Sequence, residues 1–162
     1  MTGHCVIITG GAQNIGAGIA RTLSGAGARV MIADLDGDRA RETAQAIAAE
    51  TGCDCRGRAC DVTKLSDIHA VAEETVRAFG SISTLANNVG WGGRHDRPEA
   101  ISEEDFITSY KLNRISAYRM SMACLPHLLK SENATITNSG SMSSAAPAYD
   151  ILAYATAKAA LS

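Results

Sequence analysis

The sequence contains no apolar run approaching the roughly 18 residues that a membrane-crossing helix needs. It carries no excess of positive charge: 15 Lys and Arg stand against 17 Asp and Glu, for a formal net charge of -2. A nucleic-acid binder would show a basic stripe, and none is present. Met1 to Cys5 has no basic region ahead of its short apolar run, so no secretory leader and a cytoplasmic location are expected. Cysteines number five, an odd count; Cys53, Cys55 and Cys60 cluster, but no second paired motif completes a zinc site. They read as small buried hydrophobes in a reducing compartment. His4, His69, His95 and His127 are scattered, so no metal is expected. There is no internal repeat, low-complexity segment or linker. What is there is ordinary globular material, 162 residues at 46% hydrophobic and 20% charged, enough for one domain with a real core.

Short apolar runs alternate with longer helical patterns. Strands are expected over 4–9, 29–34, 55–60, 82–86 and 134–138. Helices are expected over 15–24 and 38–51, then from a Thr63 cap to Phe79. Ser102 and Asp105 suit a capping box, opening a long helix that Pro126 should kink or break. Asp150 is placed to cap a last helix. Strand and helix alternating at this spacing predict an α/β fold, a parallel sheet covered on both faces with right-handed crossovers. The loop Trp91 to Pro98 follows the fourth strand, so it falls at the strands' C-terminal edge, where such folds bind ligands.

The first strand runs straight into Thr9-Gly10-Gly11-Ala12-Gln13-Asn14-Ile15-Gly16, then a helix. Glycines let the backbone approach a pyrophosphate, and the helix N-terminus offers it free N–H groups. Asp34 ends the second strand, where a carboxylate accepts both ribose hydroxyls of an adenosine and repels a 2′-phosphate. Leu35 follows it, not Arg or Lys, so NAD is favoured over NADP. Asp61-Val62, after the third strand, suits an adenine amino group with Val62 packing nearby, although Asp61 taken alone reads as a turn residue. Tyr154 and Lys158 stand one helical turn apart, and an ammonium beside a phenol stabilises the phenolate. With Ser141 thirteen residues upstream, the trio points to carbonyl/alcohol redox chemistry.

These residues together resemble the short-chain dehydrogenase/reductase family. The resemblance rests on Thr9-Gly10 with Gly16, Asp34, Asp61-Val62, Asn87-Asn88-Val89-Gly90, Asn113, Ser141, and Tyr154 with Lys158, in the family's order. Two small departures are Asn14, where the family has glycine, and Val89, where it has alanine. Asn is the non-glycine residue that best tolerates a left-handed backbone, so the turn should survive.

The resemblance implies a Rossmann-type, doubly wound sheet of order 3-2-1-4-5. It implies NAD held by Gly10, Gln13, Asn14, Ile15, Gly16, Asp34, Leu35, Asp61, Val62, Asn87, Asn88 and Gly90, together with Tyr154 and Lys158. Asn87 is expected at the adenosine end; its alternative is to tie neighbouring strands together. Tyr154 is then the general acid/base, Lys158 its activator and a ribose ligand, Ser141 the group orienting the substrate oxygen, and Asn113 the holder of a relay water. Ser139, Ser143 and Ser144 are rivals to Ser141.

Members of this family continue past the Tyr-Lys helix. Residues 1–162 are therefore expected to be a single NAD-binding domain, ending after the fifth strand without the substrate-closing segment. The fifth strand would be an exposed edge, and the chain is expected to belong to a longer, homo-oligomeric enzyme. The implied activity is NAD-dependent interconversion of a small secondary alcohol and a ketone. The segment Asn87 to Gly93 is similar to bacterial hydroxysteroid dehydrogenases, and Trp91 suits either stacking on a flat apolar substrate or packing. A 3-oxoacyl thioester reductase, a sugar or polyol dehydrogenase, and a non-catalytic dinucleotide-binding module are the alternatives.

Overall fold

The computed structural model describes residues 1–162, and its first two strands carry apolar residues on both faces. Strand β1 (Cys5–Thr9) sends Cys5 and Ile7 to one side and Val6 and Ile8 to the other. Strand β2 (Arg29–Asp34) divides likewise, Met31 and Ala33 against Val30 and Ile32. A strand buried on both faces reads as a continuous apolar run, which is why these two look so plain in the sequence. Two hydrophobic clusters result, one on each face of the sheet.

The sheet is completed by β3 (Cys55–Ala59), β4 (Thr84–Asn87) and β5 (Thr135–Asn138), all parallel, in the order β3-β2-β1-β4-β5. Helices α1 (Asn14–Gly25) and α2 (Gly37–Thr51) cover the Val6/Ile8 face through Ala20, Ala40, Ala44 and Ile47. Helix α3 (Leu65–Phe79) covers the other with Ile68, Val71, Ala72 and Phe79. Three alanines, Ala20, Ala40 and Ala44, let α1 and α2 lie close to the sheet. Gly57 serves the same end, since a Cβ there would run into the backbone of Ala40.

Helix α2 starts where Asp36 accepts from the Arg39 N–H and stops at Gly52, φ 73°. Thr63 does not cap α3. Its hydroxyl and its N–H both go to Asp61 Oδ1 at 2.7 and 3.0 Å, and Lys64 takes the N-cap position without a side-chain bond. The Ser102/Asp105 capping box is present at the start of α4 (Glu103–Tyr110). The long helix then breaks earlier than expected. Lys111–Ile115 forms a π turn, and α5 (Ser116–Leu128) runs on through Pro126 without ending there. Pro126 forfeits one intrahelical bond, its own to the Met122 carbonyl, and the helix ends two residues later at Leu128. Helix α6 (Leu152–Leu161) is capped at Ile151, not by Asp150, whose carboxylate accepts from His95 Nδ1 at 3.1 Å.

Candidate active site

All five strands point their C-terminal ends at one cavity of about 510 Å³. The loop after β1 supplies Gly10, Gln13, Asn14, Ile15 and Gly16; the loop after β2 supplies Asp34 and Leu35. Cys60, Asp61 and Val62 follow β3, Asn88 to Gly92 follow β4, and Ser139 and Gly140 follow β5. Leu112, Tyr154 and Lys158 close the far end.

The glycine loop is shaped by close approach. Gly10 sits at φ 63°, and Asn14 is the sole non-glycine residue with positive φ, at 49°. That meets the expectation that asparagine sustains the turn where the family has glycine. Gly16 has no room for a side chain: its Cβ would stand 2.7 Å from Asn88 Nδ2 and 2.8 Å from Gly11 Cα. The missing side chain lets the start of α1 pack directly on the glycine loop and on Asn88. Asp34 Oδ2 accepts from the Ala12 N–H at 3.0 Å and Oδ1 from Asp36 N–H at 3.2 Å, which fixes the carboxylate beside the loop. Leu35 next to it is 76% exposed. The Thr63 hydroxyl and N–H, with Lys64 beyond them, hold the Asp61 carboxyl below the usual range.

Asn88 locks the cavity's floor. Its Nδ2 donates to Gly10 O at 3.0 Å, its N–H to Thr9 Oγ1 at 3.1 Å, and its Oδ1 accepts from Ser139 Oγ at 3.0 Å. Asn87 does something else. It is 4% exposed, and its Nδ2 donates to Asn138 Oδ1 at 2.9 Å and Ser121 Oγ at 3.2 Å. The cavity does not reach it. The structure thus places Asn87 outside the cavity lining, with its side chain tying β4, β5 and α5 together. Period-two alternation explains the division: consecutive strand residues face opposite sides.

Lys158 is 2% exposed, yet its Nζ has one partner, Ser139 O at 2.8 Å. An ammonium brings three donors. Burial lowers the Lys158 pKa. Its Nζ lies 5.9 Å from the Tyr154 ring centroid. A Cβ on Gly90 would stand 3.4 Å from that same Nζ, so glycine there leaves the ammonium open to the cavity. Ser141 is not part of the wall. It caps the short 3-10 turn Met142–Ser144, its Oγ accepting from Ser143 N–H at 3.2 Å, which leaves its own proton to donate.

Asn113 lies in the π turn and is 1% exposed. Its Oδ1 accepts from Trp91 N–H at 3.0 Å, and its Nδ2 donates to Trp91 O at 3.0 Å and Ser109 O at 3.0 Å. Every bond on its side chain is to protein. Sequence reasoning missed Ser139, Gly140 and Leu112 as lining residues. Ser139 was discernible from register: it follows Asn138, the partner of Asn87, so it stands level with Asn88.

A glycine loop at a helix N-terminus, a fixed carboxylate and a buried Lys beside a Tyr thus meet in one cavity. The model of the short chain dehydrogenase family matches residues 4–162, and the chain belongs to that family. It is 35% identical over 155 residues to 4-formylbenzenesulfonate dehydrogenase TsaC1/TsaC2 of Comamonas testosteroni, covering 96% of this chain and 61% of the relative. It is 35% identical over 134 residues to L-fucose dehydrogenase of Bos taurus, covering 83% and 48%. Among solved structures, 7 alpha-hydroxysteroid dehydrogenase complexed with NADH and 7-oxo glycochenodeoxycholic acid superposes with a TM-score of 0.92 at 31% identity, over 99% of this chain and 62% of that one. The chain spans about three fifths of the length of such relatives or less. No helix is long and apolar enough to cross a membrane.

Proposed function

We propose that residues 1–162 form the dinucleotide-binding and catalytic unit of an NAD-dependent oxidoreductase that interconverts a small secondary alcohol and a ketone. The observation that carries this reading is Lys158, buried with a single partner one turn from Tyr154, at the end of a cavity that begins at the glycine loop. The residues fit the cofactor. The glycine loop and the N-terminus of α1 meet a pyrophosphate, Asp34 meets the adenosine ribose, and the spare donors of Lys158 meet the nicotinamide ribose. Asp34 favours NAD, because a 2′-phosphate would approach a fixed carboxylate.

When bound, the nicotinamide supplies the acceptor for the hydride that leaves the substrate carbon. Tyr154 takes the proton of the substrate hydroxyl as the C–O bond becomes C=O. Lys158 stabilises the phenolate that precedes this transfer. Ser141 retains a free proton and donates it to the substrate oxygen once the 3-10 turn presents it. Asn113 holds the π turn next to this group, and the relay water assigned to it would use the backbone of the turn, since its side chain is occupied.

Removing the phenol tests the reading. Tyr154→Phe should lower alcohol-dependent NADH formation by about 10²- to 10⁴-fold, the usual worth of a general acid/base. NAD binding, followed by calorimetry, should remain. Turnover that survives the substitution would take the acid/base role away from Tyr154, and a protein that binds NAD but oxidises no alcohol would be a binding module instead.

A further inference from the structure

Trp91 is the single tryptophan of residues 1–162, and it lines the cavity at the Tyr154 and Lys158 end with 37% of its surface exposed. An indole packed for stability alone is buried deeper. Its backbone is held unusually well for a loop residue. Asn113 takes both its N–H and its C=O, at 3.0 Å each. Asn113 in turn donates to Ser109 O, and Ser109 Oγ donates to Ala153 O at 3.1 Å, the residue before Tyr154. Further along the same loop, His95 Nδ1 lies 3.1 Å from Asp150 Oδ2, and Asp96 N–H donates to Asp150 O at 3.1 Å. The loop is thus tied at two points to the segment that carries the phenol. A half-bare aromatic face, fixed relative to the acid/base, is a recognition surface.

We infer that Trp91 is the platform on which the substrate lies, and that it selects flat apolar ring ketones and alcohols over open-chain ones. This rests on the oxidoreductase reading above and names the substrate class for the same site. An alicyclic or aromatic ring presents a rigid face to the indole and loses little freedom on binding, whereas an open chain must be ordered first.

The single tryptophan makes the test direct. NADH added to the protein should receive energy from Trp91, which checks the dinucleotide site by itself. With NAD in place of NADH, so that no turnover occurs, the bicyclic ketone decalone should move the Trp91 emission maximum to the blue with saturation. The open-chain 2-decanone, of equal carbon number, should leave it in place. In kinetics, Trp91→Ala should reduce the preference for decalol over 2-decanol, as a ratio of kcat/KM, by about tenfold. Equal emission shifts for the two ketones, no shift for decalone while energy transfer to NADH persists, or an undiminished preference in the variant would each overturn the platform. Absence of energy transfer to NADH would overturn the functional reading beneath it as well.

Discussion

At the scale of single residues, the candidate site is built from groups whose surroundings do not suit them. Lys158 is the clearest, a charge with three donors, one protein partner and 2% exposure. Burial lowers its pKa from 10.5, so the folded state binds its proton less readily than the unfolded chain. Stability from this group is therefore present above pH 10.5 and is lost as pH falls through the lowered value. At neutral pH the buried ammonium is a net cost. Lys158→Met should raise the melting temperature at pH 7 by about 2–4 °C for each kcal/mol recovered, and flatten the change between alkaline and neutral pH. Scanning calorimetry across that range checks it. The same variant should lose activity, so the strain is retained for function. Most such residues were legible from spacing: the glycines, Asp34, Tyr154 and Lys158 all reach the cavity. The side-chain partners of Asn87 and Ser141 were not. Which way a residue faces at a strand end, or whether a hydroxyl caps its own turn, depends on the partner strand and on the local dihedrals.

At the scale of elements, strands and helices followed from the sequence and the boundaries between them did not. The limits of β2 and the capping box of α4 came out as expected, because alternation and a box motif are local. Thr63 and Asp150 do not cap the helices they precede, because each side chain is engaged elsewhere, Thr63 with Asp61 and Asp150 with His95. Pro126 is followed by the end of its helix two residues on. The π turn Lys111–Ile115 left no mark at all, since it exists to swing Asn113 inward onto Trp91 and Ser109. Substituting Asn113→Asp tests how much that element depends on one amide. The new carboxylate would face the carbonyls of Trp91 and Ser109 with no proton to give. The variant should lose about 1–3 kcal/mol at neutral pH in urea denaturation. Because the folded site favours the protonated acid, the loss should shrink as pH is lowered toward 4 and grow as pH rises.

At the scale of the whole molecule, the sheet is lopsided. Its centre is sealed on both faces, while every residue of β5 is exposed and Ile136 shows 41% of its surface. Leu125, Leu128 and Leu129 of the neighbouring helix end lie beside it. Within residues 1–162 this strand is an edge with one apolar residue, Ile136, among Thr135, Thr137 and Asn138, and an edge's free N–H and C=O groups template pairing with other chains. Ile136→Lys should lower concentration-dependent association, read by light scattering, and leave the melt little altered. The strand order carries a second consequence, one of time. Strand β1 joins β2 nearby, but its other side waits for β4. The Cys5 N–H bonds to Ser83 Oγ, 78 residues further on. A ribosome adding about 5–20 residues per second takes roughly 4–16 s to cover that distance. For those seconds the most apolar strand of the protein has one edge paired and one edge bare, and whatever shields it then must come from the cell.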